Sequence, residues 1–434
     1  MGAVPGKLTR HAQQPVLGID FGTSNSAAAL VDAAGQMHVI ALDGNSNSMP
    51  TALYFAGEDG HISYGSAALR DYLSAAQEGV IGGRLMRAIK SLLGSSLMAE
   101  QTVVNGQTLS FFDIVVLFLS ELKRRAEQHL GYGVHTATLG RPVHFVDGNP
   151  ERDALAQATL RRAALAAGFR KVAFELEPIA AAFDFERRVS HDTQVLVVDI
   201  GGGTSDFTVI RIGPGHRDKT ERKQDILATS GIHIGGTDFD RLLDLGCVMP
   251  LLGYGQRTPA GRELPNRIFY NLSTWHLVHH ATSRHSLAQA RALQRDYADP
   301  VLHQRLMHVL QERLGHQLLS EVEAAKIRCA TTGASTAIDV SGLHTRPTSA
   351  NAAPATQLTP EMLHTMLNAQ LAAIVQCALQ CAAQAGLSDL ELIYLTGGSS
   401  SLQALVHALQ TAFPKATMVH GDRFGGVADR KSVV

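Results

Sequence analysis

Two short runs, far apart in the chain, hold the residues best suited to chemistry. The first, VLGIDFGTSNSAAALVD from Val16, ends an apolar stretch at Asp20 and follows it with Gly22, Thr23, Ser24 and Asn25. The second, VLVVDIGGGTSDFTVIRI from Val195, repeats the plan with Asp199, Gly201, Gly202, Gly203, Thr204 and Asp206. In each run a buried strand ends in a carboxylate, glycine meets the φ > 0 demand of a tight turn, and backbone N–H groups can converge on an anion. Acidic residues beside phosphate-binding turns have a use when a hydrated Mg²⁺ lies between them, because the cation neutralises charge that would otherwise repel a polyphosphate. Either turn alone is an ordinary Asp-Gly turn. Two matching copies imply two similar halves that face each other.

Two rival phosphate devices are excluded. No GxxxxGK[ST] occurs, so there is no P-loop. The glycines at 201–203 lack the last Gly of a dinucleotide fingerprint and lead into a second β-prone run, where that fold needs a helix.

The elements that must position these turns alternate between strand and helix patterns, which places the chain in the α/β class. After the first hairpin, residues from about 44 to 109 read as a mixed, Gly-punctuated insertion. Phe111 to Leu130 is strongly amphipathic, with Lys123, Arg124 and Arg125 near its end, as suits a helix C-terminus. A strand about Thr136 to Leu139, a loop at Pro142 and an Ala-rich helix from Glu151 to Gly168 follow. The second half carries a larger insertion from Gly231 to about Ala334, with long helical patterns separated by the loop GYGQRTPAGRELPN. Residues 342 to 360 read as a surface loop. Met362 to Ser388 has no charge, yet Leu363, Leu367, Leu371, Ile374, Ala378 and Cys381 recur at helical spacing, which describes a packed amphipathic helix rather than a membrane span.

The chain has 434 residues, 45% hydrophobic and 18% charged, enough for two lobes or more. Lys+Arg 38 against Asp+Glu 39 leaves a net charge of -1, so no basic excess draws it to nucleic acid or anionic lipid. Four cysteines, Cys247, Cys329, Cys377 and Cys381, are too few for a disulfide framework and show no CxxC spacing. The polar start lacks the apolar core of a signal peptide, and the chain reads as soluble, monomeric and cytoplasmic, without a nucleic-acid or membrane partner. His276, His279, His280 and His285 lack a regular ligand pattern, and Arg284, Arg291, Arg295, Arg305 and Arg313 are interleaved with acids; both groups read as solvated helix faces.

The motifs also carry a family resemblance. GIDFGTSNS and VVDIGGGTSDF resemble the two phosphate motifs of the actin-like ATPase superfamily, and LTGGSSSL, with Gly397, Gly398 and Ser399, resembles its adenosine motif. FELEPIAAAFDFE is similar to the connecting segment of DnaK-type chaperones and bacterial actins. IHIGGTDFDRLL, with Gly236, and EAAKIRCA, with Glu323 and Lys326, are similar to DnaK-type segments. The matches run in the family's order from Val16 to about Val427, and the layout is nearest to the YegD-like proteins, which keep the ATPase part alone.

The resemblance implies a duplicated, two-lobed actin-like α/β fold with a nucleotide cleft and two insertion subdomains. Lobe I would span 15–190 with its insertion at about 44–109, lobe II 191–411 with its insertion at about 233–334, and 412–434 would begin an incomplete return to lobe I. It further implies ATP or ADP with Mg²⁺, and K⁺ as an additional cation. Asp20 and Asp199 would hold Mg²⁺ through water, while Gly22, Thr23, Ser24, Asn25 and Gly201 to Gly203 cradle phosphates. Glu177 would orient the attacking water, Lys90 would reach the γ-phosphate, and Thr204 and Asp206 would complete the network. Gly236, Glu323, Lys326, Gly397, Gly398 and Ser399 would line the adenosine side. A carboxylate at a helix start also satisfies the dipole, and Arg87 is the alternative to Lys90 if the register slips.

Departures from the family pattern qualify this picture. The positions where the family stacks adenine between arginines correspond to Ile327 and Ser401, with Arg328 adjacent, which implies weaker nucleotide affinity. Pro142 and Arg152 resemble relay residues of DnaK-type proteins, but their spacing is longer and they read as a turn proline and a helix-surface arginine. Asp429 to Val434 back-translates to an adaptor-like sequence, so natural sequence is expected to end near Ala428. The functional expectation is a slow, Mg-dependent, chaperone-like ATPase of the DnaK type, switching a surface toward a protein client or cochaperone without a peptide-binding domain. The alternative is an ATP-binding actin-like scaffold without significant hydrolysis.

Overall fold

The computed structural model describes residues 15–31, 37–57, 60–77, 83–104, 107–146, 148–186, 188–217, 219, 222–343 and 356–421. The polar start and the adaptor-like end therefore lie outside the described residues.

Two sheets dominate, and they share one plan. In the first, Val16–Phe21 pairs antiparallel with Asn25–Val31, which pairs with Met37–Ile40; on its other edge Val16–Phe21 runs parallel to Thr136–Arg141, and that strand to Lys171–Leu176. In the second, Thr193–Ile200 pairs antiparallel with Ser205–Ile212 and that with Ile226–Ile232; the parallel side continues through Leu392–Thr396 to Thr417–His420. The strand order is thus the same in both: hairpin and third strand on one side, two parallel strands on the other. Parallel neighbours require crossovers, and helices supply them: Pro150–Ala166 in the first half and Gln403–Ala412 in the second. This is the duplicated, two-lobed actin-like ATPase architecture.

Residues 412–421, expected to turn back toward the first lobe, stay with the second. Thr417–His420 is an edge strand of the second sheet, and Phe413 and Ala416 join its core. The apolar pair anchors the chain here before any return can begin.

Local sequence explains the long helices that pack on the two sheets. Phe111–Leu130 starts in a capping box between Ser110 and Asp113 and ends at Gly131, φ 78. Its buried stripe Ile114, Val115, Phe118, Leu119 and Leu122 packs on Leu17, Ile19 and Phe21 of the first sheet. Pro360–Gln384, capped by Thr359, lays Leu363, Leu367, Leu371, Ile374 and Cys381 into the core of the second half while His364 and Asn368 face outward. It is the one helix among the described residues long and apolar enough to cross a membrane by length and composition, and here it is a core helix with one packed face.

Thr193–Ile200 shows why its continuous apolar run reads as a doubly buried strand. Leu196, Val198 and Ile200 face the large core, whereas Val195 and Val197 face Ile179, Ala182 and Phe185 of the Glu177–Glu186 helix. That helix follows the last strand of the first sheet but packs on the second, so it joins the halves and fixes the position of Glu177.

The insertions differ in size. The first contains the three-stranded sheet of Ala52–Phe55, Ile62–Tyr64 and Arg84–Arg87 with the Ser66–Gln77 helix. The second runs through helices from Gly236–Cys247 to Gly315–Thr332. Part of the loop expected at 342–360 is a strand, Thr356–Leu358, paired with Thr336–Ile338; residues 344–355 lie outside the described set. All four cysteines are buried free thiols.

Candidate nucleotide site

The two Asp-Gly turns sit at the C-terminal ends of the first strand of each sheet, where open α/β sheets bind ligands. They touch. A Cβ added to Gly202 would collide with Ser24 Oγ, and one on Gly203 would stand 3.1 Å from Thr23 Oγ1. Glycine at 202 is therefore required by the approach of the opposite turn rather than by its own dihedrals. Buried Thr51 shapes the first turn from behind, donating from its hydroxyl to Gly22 O at 2.9 Å and from its N–H to Ser24 O at 2.8 Å. Thr237 shapes the second, since both its N–H and its hydroxyl donate to Gly202 O at 2.8 Å.

Between the turns lies a cluster of buried charge. Lys90 Nζ donates to Glu177 Oε1 at 3.0 Å, and both side chains are almost wholly enclosed. Burial alone would lower the Lys90 pKa, but Glu177, Asp20 and Asp206 outweigh it and raise the ammonium above its ordinary value. Asp199 is pushed well above the carboxylate range by burial and then by Glu177, Asp206 and Asp20. Asp206 is pushed up to about 7 by burial and Glu177, against hydrogen bonds from Val143 N–H (2.7 Å) and the Thr204 hydroxyl. Four carboxylates, Asp20 half-buried and the other three buried, thus share one ammonium. Burial first, and then the neighbouring carboxylates, drive Asp199 and Asp206 toward protonation, and such an excess of acids suits a divalent cation. No three His, Cys, Asp or Glu side chains converge in a ligating group among the described residues, so a cation here would be held largely through water.

Lys90 and Arg87, alternatives in the sequence, have separate places. Ala88 between them adopts the left-handed region at φ 55 and turns the chain sharply, sending Lys90 to Glu177 and Arg87 to Glu323. Arg87 donates to Glu323 Oε2 at 3.3 Å and lies 3.8 Å over the Trp275 ring, bridging the two halves.

A second chamber, about 290 Å³, opens beside the turns. Ser24, Asn25, Gly202, Gly236, Glu323, Lys326, Gly398 and Ser399 line it, as do Ile327 and Ser401. Gly397 does not line it; with φ 85 it passes so close that a Cβ would collide with Asp199 Oδ1, so its part is to let the strand end approach the carboxylate. Arg328 turns away and donates to Ala337 O at 3.2 Å.

Sequence reasoning missed Asp240, Thr51, Thr237 and Trp275. Asp240, in the buried stripe of Gly236–Cys247, pairs with Lys326 at 2.6 Å and is raised to about 6 by burial despite that pairing. Asp240 and Asp244, two acids one turn apart on the buried face of this helix with Phe239 and Leu243, were the available signal. Pro142 is buried in the segment whose next residue, Val143, bonds Asp206, while Arg152 Nε donates to Gly94 O at 2.8 Å.

The family described as Hsp70 protein matches residues 16–245. Among relatives, the chaperone protein DnaK of Thermosipho melanesiensis is 32% identical over 232 residues, 53% of this chain and 35% of that protein. DnaK of Thermosipho africanus is 32% identical over 237 residues, 54% and 36% of the two chains. DnaK of Thermotoga neapolitana is 31% identical over 232 residues, 53% and 35%. The aligned region thus spans about a third of the length of these relatives. The family match contains both turns, Lys90 and Glu177 and extends over more than half of the chain, so the chain belongs to the Hsp70 family.

Proposed function

We propose that the chain binds MgATP and MgADP across the two turns, hydrolyses ATP slowly, and uses the nucleotide to switch a surface presented to a protein client or cochaperone in the cytoplasm. In this reading lobe I ends near residue 190, and the cleft between the lobes closes on the nucleotide. The observation that carries it is the buried Lys90–Glu177 pair, supplied by the Ile89–Leu92 turn and the start of the Glu177–Glu186 helix, beside two phosphate-type turns that meet one another.

The chain's own residues suffice to assign roles. Backbone N–H groups of the turns at 22–24 and 202–203 would face the polyphosphate, while the Gly201 N–H closes its own turn by donating to Thr204 O at 2.9 Å. Asp20 and Asp199 would hold a hydrated Mg²⁺, which supplies the charge neutralisation that lets phosphates enter a site crowded with carboxylates. Lys90 orients the Glu177 carboxylate through their hydrogen bond, and Glu177 can then accept a proton from a water aimed at the terminal phosphate. Thr204 and Val143 keep Asp206 aligned beside them. Glu323, Lys326 and Gly398 would receive the nucleoside, with Ile327 and Ser401 in place of stacking cations, which favours modest affinity.

Single-turnover hydrolysis with and without Mg²⁺, on the chain and on Glu177→Gln, tests this. Slow Mg-dependent hydrolysis that falls by about 10² to 10⁴ in the variant, with nucleotide still bound, is expected. Equal rates in the two proteins would remove Glu177 from the mechanism.

A further inference from the structure

A cavity larger than the chamber beside the turns lies outside the nucleotide cleft, in the second insertion. It is a groove of about 770 Å³ between the Arg267–Leu272 and Arg284–Ala292 helices, against about 290 Å³ for the chamber beside the turns. Its size falls within the ordinary range for small-molecule sites, about 300 to 1,000 Å³. The walls are mainly apolar, with Ile268, Leu277, Ala290 and Leu293 along them. The polar residues at the rim include Arg267, His280 and His285, and among the described residues no Asp or Glu lines the groove.

Charge and hydrogen bonding at the rim point one way. The Arg267 guanidinium makes no hydrogen bond or ion pair among the described residues. His280 is lowered by burial and then by Arg84 and Arg267, which marks the rim as electropositive, with Glu100 the acid that opposes them. The first turn of Arg284–Ala292 is already closed by its own cap, Ser283 Oγ accepting from Ser286 N at 3.2 Å. The free cation is therefore Arg267 and not the helix end. The histidines that read as a solvated face in the sequence are, at 280 and 285, part of this rim.

We propose that this groove binds a single-chain amphipathic anion of the fatty-acid type, with its alkyl chain along Ile268, Leu277 and Leu293 and its carboxylate on Arg267. An apolar trough of this size with one unpaired guanidinium at its mouth matches a long tail and a single negative head; a neutral alkane would leave Arg267 unused, and a compact anion would leave the apolar wall wet. The inference does not depend on the nucleotide reading.

Dodecanoate below its micellar concentration, titrated by calorimetry without nucleotide, tests it. Binding is expected at one site per chain, with dodecanol and acetate each weaker by roughly tenfold or more. Arg267→Glu, at an exposed helix start, should weaken dodecanoate by a similar factor while leaving dodecanol unchanged. Gln289→Trp, exposed on the groove wall, should block both ligands, and circular dichroism melting of each variant would establish that it folds. Equal binding of dodecanoate and dodecanol, insensitivity to Arg267→Glu, or no binding at all would each overturn the proposal. So would concentration-dependent dimerisation abolished by Gln289→Trp, which would make the groove a contact between copies of the chain.

Discussion

The two ends of the cleft solve different electrostatic problems. At the turns, Asp20, Glu177, Asp199 and Asp206 crowd around Lys90, and burial, reinforced by the neighbouring carboxylates, drives Asp199 and Asp206 upward. In the chamber beside them each charge has an opposite partner: Lys326 holds Asp240 and Arg87 holds Glu323. One end carries an excess of carboxylates over its ammonium, whereas at the other the acids Asp240 and Glu323 each face a cation. The difference teaches that rate and cation dependence should be governed by the turns, and affinity for the nucleoside by the balanced end.

The largest expected effect follows from removing the single cation at the turns. Lys90→Ala should lower single-turnover hydrolysis by about 10² to 10³, with nucleotide affinity changed much less. Next comes the contact between the turns. Gly202→Val places side-chain atoms against Ser24, and overpacking of about 1–3 kcal/mol predicts nucleotide affinity weaker by roughly ten- to a hundredfold in calorimetry, with the fold retained in circular dichroism.

A smaller effect concerns a carboxylate buried without a cation away from the turns. Asp244 lies one turn beyond Asp240, accepts from Ser273 Oγ at 2.6 Å, and is raised to about 7 by burial and by Asp240. Its folded pKa lies above its unfolded value, so the protonated form is favoured in the native state. The group costs nothing below about pH 4, and stability is lost as pH rises from there to about 7. Asp244→Asn should flatten that loss and raise stability at pH 8 by about 1–2 kcal/mol in urea unfolding, if the amide keeps its bond to Ser273. The smallest change is a gain: Ser401→Arg, at the rim of the balanced chamber, should tighten ATP binding by about two- to fivefold through stacking on adenine.

The turns were legible because duplication repeats a pattern that chance rarely repeats, and the same strand plan in both sheets is its structural form. Long helices such as Phe111–Leu130 were legible because their stripes and caps are local. The rest depends on contacts that no local pattern records. Lys90 and Arg87 could not be told apart from spacing, since the left-handed turn at Ala88 that separates them occurs at a residue type that gives no warning. Asp240 and Lys326 are eighty-six positions apart, and their pairing follows from helix packing alone. Residues 412–421 were misplaced because an edge strand of four residues carries little periodicity of its own.

The most direct test of the cation-dependent turns is ATP affinity by calorimetry with Mg²⁺ and with a chelator at pH 8, where the carboxylates are most fully ionised. The account predicts that chelation weakens ATP binding by roughly tenfold or more, and that Asp199→Asn narrows the gap. Equal affinity with and without Mg²⁺, in both proteins, would contradict it.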